Sequence, residues 1–246
     1  MSSRPFDSLA ITTPAMSRAR WGLKRTVDAV NEPVTLAEAK DHMRISDTND
    51  DTYIPLLIKA ARRRLEEETG RAFCTQTWRF VMDQFPRYTR RSYPVGFMPI
   101  ILPRPPLIVA AAIQSPATPS SPNIAYLDGA GNPQTLVLNT DFIADGVSEP
   151  ARLQLAFGKS WPATIRQQSA VTIDFQAGYS ADATLVPEEL KMAIKMVIAH
   201  WYENRESVIV EARTTPQEVP QSAMWLIDPF KVNWEFDCGQ DFFATW

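Results

Sequence analysis

The sequence predicts an α+β fold: a small helical bundle of three main helices, an inserted antiparallel β-sheet block, and extended N- and C-terminal arms. Three observations carry this prediction. Apolar residues recur at helical spacing over about 35–45, 51–69 and 187–204. The period shifts toward two over about 75–176, where short apolar runs alternate with turn residues. The chain also holds 20 prolines and only 9 glycines, where ordinary usage gives about 12 and about 17. Such a composition favours stiff extended connections over left-handed turns.

Residues 1–32 read as a basic N-terminal arm, because Arg4, Arg18, Arg20, Lys24 and Arg25 face a single acid, Asp7, before Asp28. It is either a solvated terminus or a docking arm. The first helix opens on a capping box, Thr35-Leu36-Ala37-Glu38, in which Thr35 and Glu38 satisfy each other's free amides. The second places Ile54, Leu57, Ile58, Ala61 and Leu65 on one face and stops at Gly70. Its run Arg62, Arg63, Arg64, Glu66, Glu67, Glu68 sets up three pairs four residues apart. This is either a solvated face or an inter-subunit surface that meets a neighbouring copy.

Strands are expected at Thr77–Asp83, Ile100–Leu102, Leu107–Ile113, Ile124–Leu127, Thr135–Leu138, Ala151–Leu155 and Val171–Phe175. Asp128-Gly129-Ala130-Gly131-Asn132 reads as a hairpin connection. The third helix opens at Pro187 with Glu188 and Glu189, and carries Leu190, Ala193, Ile194, Val197, Ile198 and Trp201 as one stripe. Together 33–204 form the core, followed by an aromatic-rich C-terminal arm over 205–246.

Nothing in the residues argues for an enzyme. There is no GxGxxG, no GxxxxGK[ST], no GxSxG and no HExxH. The two histidines, His42 and His200, lack the spacing of a metal pair, and Cys74 reads as a packed thiol. No cofactor and no metal are expected. Two distant cysteines suggest a reducing compartment, and no stretch reads as a membrane span. The net charge of −3 gives no global nucleic-acid signature, although no acid lies from Arg87 through Arg104, a span that includes Arg90 and Arg91.

Several motifs in order resemble the head–tail connector proteins of tailed phages and phage-like gene transfer particles, also called adaptor or head-completion proteins. They are Val34–Lys40, Asn49-Asp50-Asp51, Ala60–Gly70, Thr75–Trp78, Leu102–Leu107, Gly158–Pro162, Ala177-Gly178-Tyr179, Val186–Lys191 and His200–Glu206. The resemblance covers about 33–230.

It implies a structural virion neck protein, assembled in the host cytoplasm. Such a protein forms a ring of about a dozen copies beneath the portal and extends the DNA channel toward the tail. The implied partners are the portal protein, a tail-side neck or tail-terminator protein, further copies of itself, and DNA passing without sequence recognition. No membrane is involved. Trp225–Lys231 resembles the segment with which relatives dock into the portal. Trp225, Leu226, Ile227, Pro229, Phe230 and Trp234 are therefore the expected portal-docking tail, unless these aromatics pack on the chain's own core. Truncation before Met224 is expected to remove docking and leave the helices folded. The alternative is a DNA-packaging accessory or nucleic-acid-binding protein that uses the basic arm with Arg87, Arg90, Arg91 and Arg104.

Overall fold

The computed structural model describes residues 21–86, 99–109, 122–181, 183–204 and 220–232. Its element order is β1 (Trp21–Val27), α1 (Leu36–Met43), α2 (Ile54–Thr69), β2 (Gln76–Met82), β3 (Ile100–Leu102), β4 (Leu107–Ile108), β5 (Asn123–Leu127), β6 (Pro133–Leu136), β7 (Phe142–Asp145), β8 (Ala151–Leu155), β9 (Val171–Ala177), α3 (Glu188–Glu203) and α4 (Gln221–Ile227). A 3-10 turn, Asp228–Phe230, comes directly after α4. The α+β class is as expected.

The helices start and stop where local chemistry dictates. At α1 the Thr35 hydroxyl accepts from the Glu38 amide at 3.2 Å, and the Glu38 carboxylate accepts from the Thr35 amide at 2.8 Å. Arg44, at φ 57°, ends the helix. The second helix begins at Ile54 rather than near Asp51, because the Asp50 carbonyl first closes a turn with the amides of Tyr53 and Ile54. Gly70, at φ 70°, terminates it. Pro187 caps α3 from just outside instead of opening it.

The four helices share one apolar core. Ile54, Leu57, Ile58, Ala61 and Leu65 of α2 meet Leu190, Ala193, Ile194, Val197 and Ile198 of α3, as the helical spacing predicts. The unexpected element is α4. It is seven residues long and packs on α3 through Ala223 and Ile227, both fully buried. Two inward residues four apart give too short a stripe to read as a helix from sequence.

The β region is larger than the single inserted block expected. One sheet runs β1-β2-β9-β5-β6, with β4 also paired to β9, and a second runs β3-β8-β7. The pairings between these nine strands are antiparallel. Inward residues of both sheets, among them Trp78, Phe80, Ile124, Ile173, Phe175, Phe142 and Leu153, form a second core. The sheet is not wholly an insertion, because β1 precedes the helices and pairs with β2, Leu23 opposite Phe80. Residues 21–27 are therefore strand, not arm. Their Lys24 and Arg25 look solvated in the sequence, yet Leu23 packs on the second core and Arg25 lies over the Trp78 ring at 5.4 Å. Residues 1–20 lie outside the described residues.

The two cores join along a seam. The Ala72 amide donates to the Pro105 carbonyl at 3.1 Å, and the Gly178 amide to the Pro106 carbonyl at 2.9 Å. The Tyr179 amide donates to the Phe73 carbonyl at 3.0 Å, and the Thr75 amide to the Ser180 carbonyl at 3.1 Å.

Candidate docking and assembly surfaces

The charged run on α2 does not form one surface. A helix carrying six charges over two turns must point some of them inward, and here Arg62 is 0% exposed and Glu66 2%. The Arg62 guanidinium donates to Glu66 at 2.9 Å, to both oxygens of Glu32 at 2.6 and 3.1 Å, and to Asp28 at 3.1 Å. Glu66 also accepts from the Phe73 amide at 2.9 Å, from Gln76 at 2.5 Å and from Arg25 at 3.4 Å. Every polar edge of this buried pair is therefore matched, as burial demands. Arg62 and Glu66 are corrected from surface to interior.

The other four residues stay at the surface. Arg64 pairs with Glu68 at 2.7 Å, as the four-residue spacing predicts. The third spacing fails: Arg63 turns to Asp28 at 2.5 Å, and Glu67 takes Arg104 at 2.6 Å. Arg104 also donates to the Glu66 carbonyl at 2.7 Å and covers the Trp78 ring at 5.1 Å, so it serves the interior of this chain. Arg87, Arg90 and Arg91 lie outside the described residues.

Electrostatics follow from this packing. Burial pushes the Asp28 carboxyl up, but Arg63, Lys59 and Arg62 outweigh it and hold the group well below the usual carboxylate range. Burial pushes the Glu66 carboxyl up, against the pull of Arg62, the Phe73 amide and Gln76. Because the folded Asp28 is more acidic than the unfolded one, its contribution is complete above about pH 4 and fades as pH falls through the folded value. Asp28→Asn is expected to melt lower than the native chain at pH 7, with the gap closing below about pH 3. A gap independent of pH in thermal melts would contradict this.

The expected docking tail divides in two. Ile227 is fully buried in the helical core, and Leu226 and Phe230 are half-buried against it. Trp225 points outward with 68% of its surface exposed, and Pro229 is exposed. Trp234 lies outside the described residues. Ile227 is thus an anchor of its own chain, as the alternative of self-packing holds, while Trp225 is free of that role.

Reactive groups are arranged structurally. Cys74 is 1% exposed, and burial pushes its thiol up to about 12. His200 is approached by Asn204 at 3.3 Å. Among the described residues no three potential metal ligands come together. A cavity of about 350 Å³ lies between residues 31–36 and the start of α2, lined by Asn31, Glu32, Val34, Thr35, Leu36, Pro55 and Ile58. Its one carboxylate, Glu32, is already held by Arg62. No helix among the described residues is long and apolar enough to cross a membrane.

Reading from sequence missed Asp28, Glu32 and Arg25 as partners of the α2 charges. Asp28 and Glu32 stand 34 and 30 residues upstream of Arg62, and Arg25 stands 41 upstream of Glu66, with no local signal. It also missed Arg71, although a basic residue directly after a helix-ending glycine sits beside the helix's unpaired carbonyls.

The model of the phage gp6-like head-tail connector protein family matches residues 33–95 and 162–231, more than half of the chain. No curated protein matches. Solved chains with a similar fold include one from the neck of an empty gene transfer agent (GTA) particle computed with C6 symmetry, at 20% identity and TM-score 0.63, covering 87% of this chain and 97% of that chain. A chain from the virion of a native GTA particle gives 20% identity and TM-score 0.63, covering 87% and 96%. One from the neck of a native particle computed with C12 symmetry gives 19% identity and TM-score 0.58, covering 87% and 97%. The matched segments hold α1, α2, β2, β9, α3 and α4, the elements that build the helical core and its junction with the larger sheet, and the chain belongs to the phage gp6-like head-tail connector family.

Proposed function

We propose that the chain is a structural component of a virion neck, at the head–tail junction. It forms a ring of about twelve copies beneath the portal and carries the DNA channel toward the tail. The observation that carries this reading is the family match across both helical segments, 33–95 and 162–231. It is supported by a fold shared along 87% of the chain with proteins from particle necks computed with sixfold and twelvefold symmetry. A closed ring needs complementary lateral faces rather than a reaction centre, and the exposed Arg63, Arg64 and Glu67 with the half-buried Glu68 are our candidates for part of one.

Portal docking is assigned to the exposed Trp225 together with the aromatics beyond Val232, beginning at Trp234. Aromatic side chains bury large area per ordered residue and suit insertion into partner pockets. The truncation that tests this must respect α4. Cutting before Met224 removes the buried Ile227 from the core, so this truncation is expected to destabilise the remaining helices as well. A chain ending at Val232 keeps the core and Trp225 but none of the later aromatics, and is expected to fold normally yet bind the portal much more weakly. Undiminished binding by that chain would sink the tail assignment.

The reading as a nucleic-acid-binding accessory is weakened by Arg25 and Arg104, since both are engaged inside the chain.

A further inference from the structure

Arg71 is the first residue after the glycine that ends α2, and it is 8% exposed. Its guanidinium joins three separate parts of the chain. Nε donates to the Phe230 carbonyl at 2.5 Å, Nη2 to the Glu149 carboxylate at 2.5 Å, and Nη1 reaches the Tyr179 hydroxyl at 3.4 Å. Beside it, the Val232 amide donates to the Thr69 carbonyl at 2.9 Å, an acceptor left over at the end of α2. Glu149 belongs to the loop between β7 and β8, and Tyr179 lies just past the end of β9.

Both bonds to the C-terminal segment use its main chain, the carbonyl of Phe230 and the amide of Val232. They fix the path of the backbone whatever side chains stand there. Beyond Val232 the chain continues through residues 233–246, with five aromatics (Trp234, Phe236, Phe242, Phe243, Trp246), three acids and no base. Holding the start of such a segment at one point lowers the ordering cost of any docking it makes.

We propose that Arg71 is a positioning residue for the docking tail. It locks the departure point of residues 233–246 to the end of α2, and through Glu149 it couples that point to the β7–β8 hairpin. This rests on the tail reading under the proposed function. A planar fork is required, because one guanidinium must serve a carbonyl and a carboxylate in different directions, which a lysine ammonium at the end of a flexible stem does not reproduce.

The test uses the full-length protein with Arg71→Lys and Glu149→Gln, which retain a folded chain if Arg71→Ala does not. Ile198→Val, a buried residue of α3 that makes no hydrogen bond to the node, is the control for general destabilisation. Amide hydrogen exchange at Val232 and affinity for the portal are measured for each. For Arg71→Lys we expect protection at Val232 and portal affinity each to fall about tenfold or more, with a smaller fall for Glu149→Gln. The control should leave both close to native. Native-like protection and affinity in Arg71→Lys, or losses no greater than the control's, overturn the proposal. Loss of docking in the chain ending at Val232 together with full docking by Arg71→Lys removes the role of Arg71 alone. Full docking by the truncated chain removes the tail reading itself.

Discussion

Arg62→Ala will destabilise the fold by about 3–5 kcal/mol, the usual effect of removing one partner from a buried ion pair. The substitution strands Glu66, which is 2% exposed and keeps only Gln76, the Phe73 amide and the more distant Arg25. It also releases Glu32, which ties the segment between β1 and α1 to α2, and leaves Asp28 held there by Arg63 and Lys59 alone. The loss should appear as a large drop in melting temperature of the isolated protein, with no dependence on assembly. If Arg62 served a contact between copies, the isolated chain would melt normally and only oligomerisation would weaken. That outcome would return Arg62 to the surface.

Gly178→Ala will cost about 4 kcal/mol or more, in the range reserved for named steric faults. Gly178 sits at φ +136°, where a Cβ is strained in any surroundings. An added Cβ would also stand 2.6 Å from the Thr75 amide nitrogen and closer still to the Cys74 carbonyl. These neighbours are backbone and cannot swing aside. They belong to the seam in which residues 72–75, 105–106 and 177–180 exchange main-chain hydrogen bonds, so relief in one segment breaks bonds to the others. The expected result is a chain that fails to accumulate in folded form, or melts far below the native protein. A melting temperature within a few degrees of native would show that the seam has slack.

Both predictions concern features that only the folded chain displays. The spacing of Ile54, Leu57, Ile58, Ala61 and Leu65 is enough to place α2 and its inner face, because helical periodicity is a local property. The same run of sequence does not show that Arg62 and Glu66 share that interior. Their burial depends on Asp28 and Glu32 arriving from a segment 30 or more residues away. The strand β1 is illegible for a related reason: Arg25 looks like a surface charge until Trp78 and Gln76 are placed beside it. The segment Trp225–Phe230 is half legible. Trp225 is exposed, but Ile227 reads as apolar whether it faces a partner or its own core, and only the packing of α4 on α3 decides between them. Motif order carries the family where periodicity cannot, since Ala60–Gly70, Ala177-Gly178-Tyr179 and Val186–Lys191 all lie within the matched segments.

An electron-microscopy reconstruction of particles containing this chain would locate it within the particle. Density for the chain is expected at the head–tail junction, as a closed cyclic ring of about twelve copies around the DNA channel, against the portal. Density in the capsid shell or tail tube, or a neck complete without this chain, would contradict it.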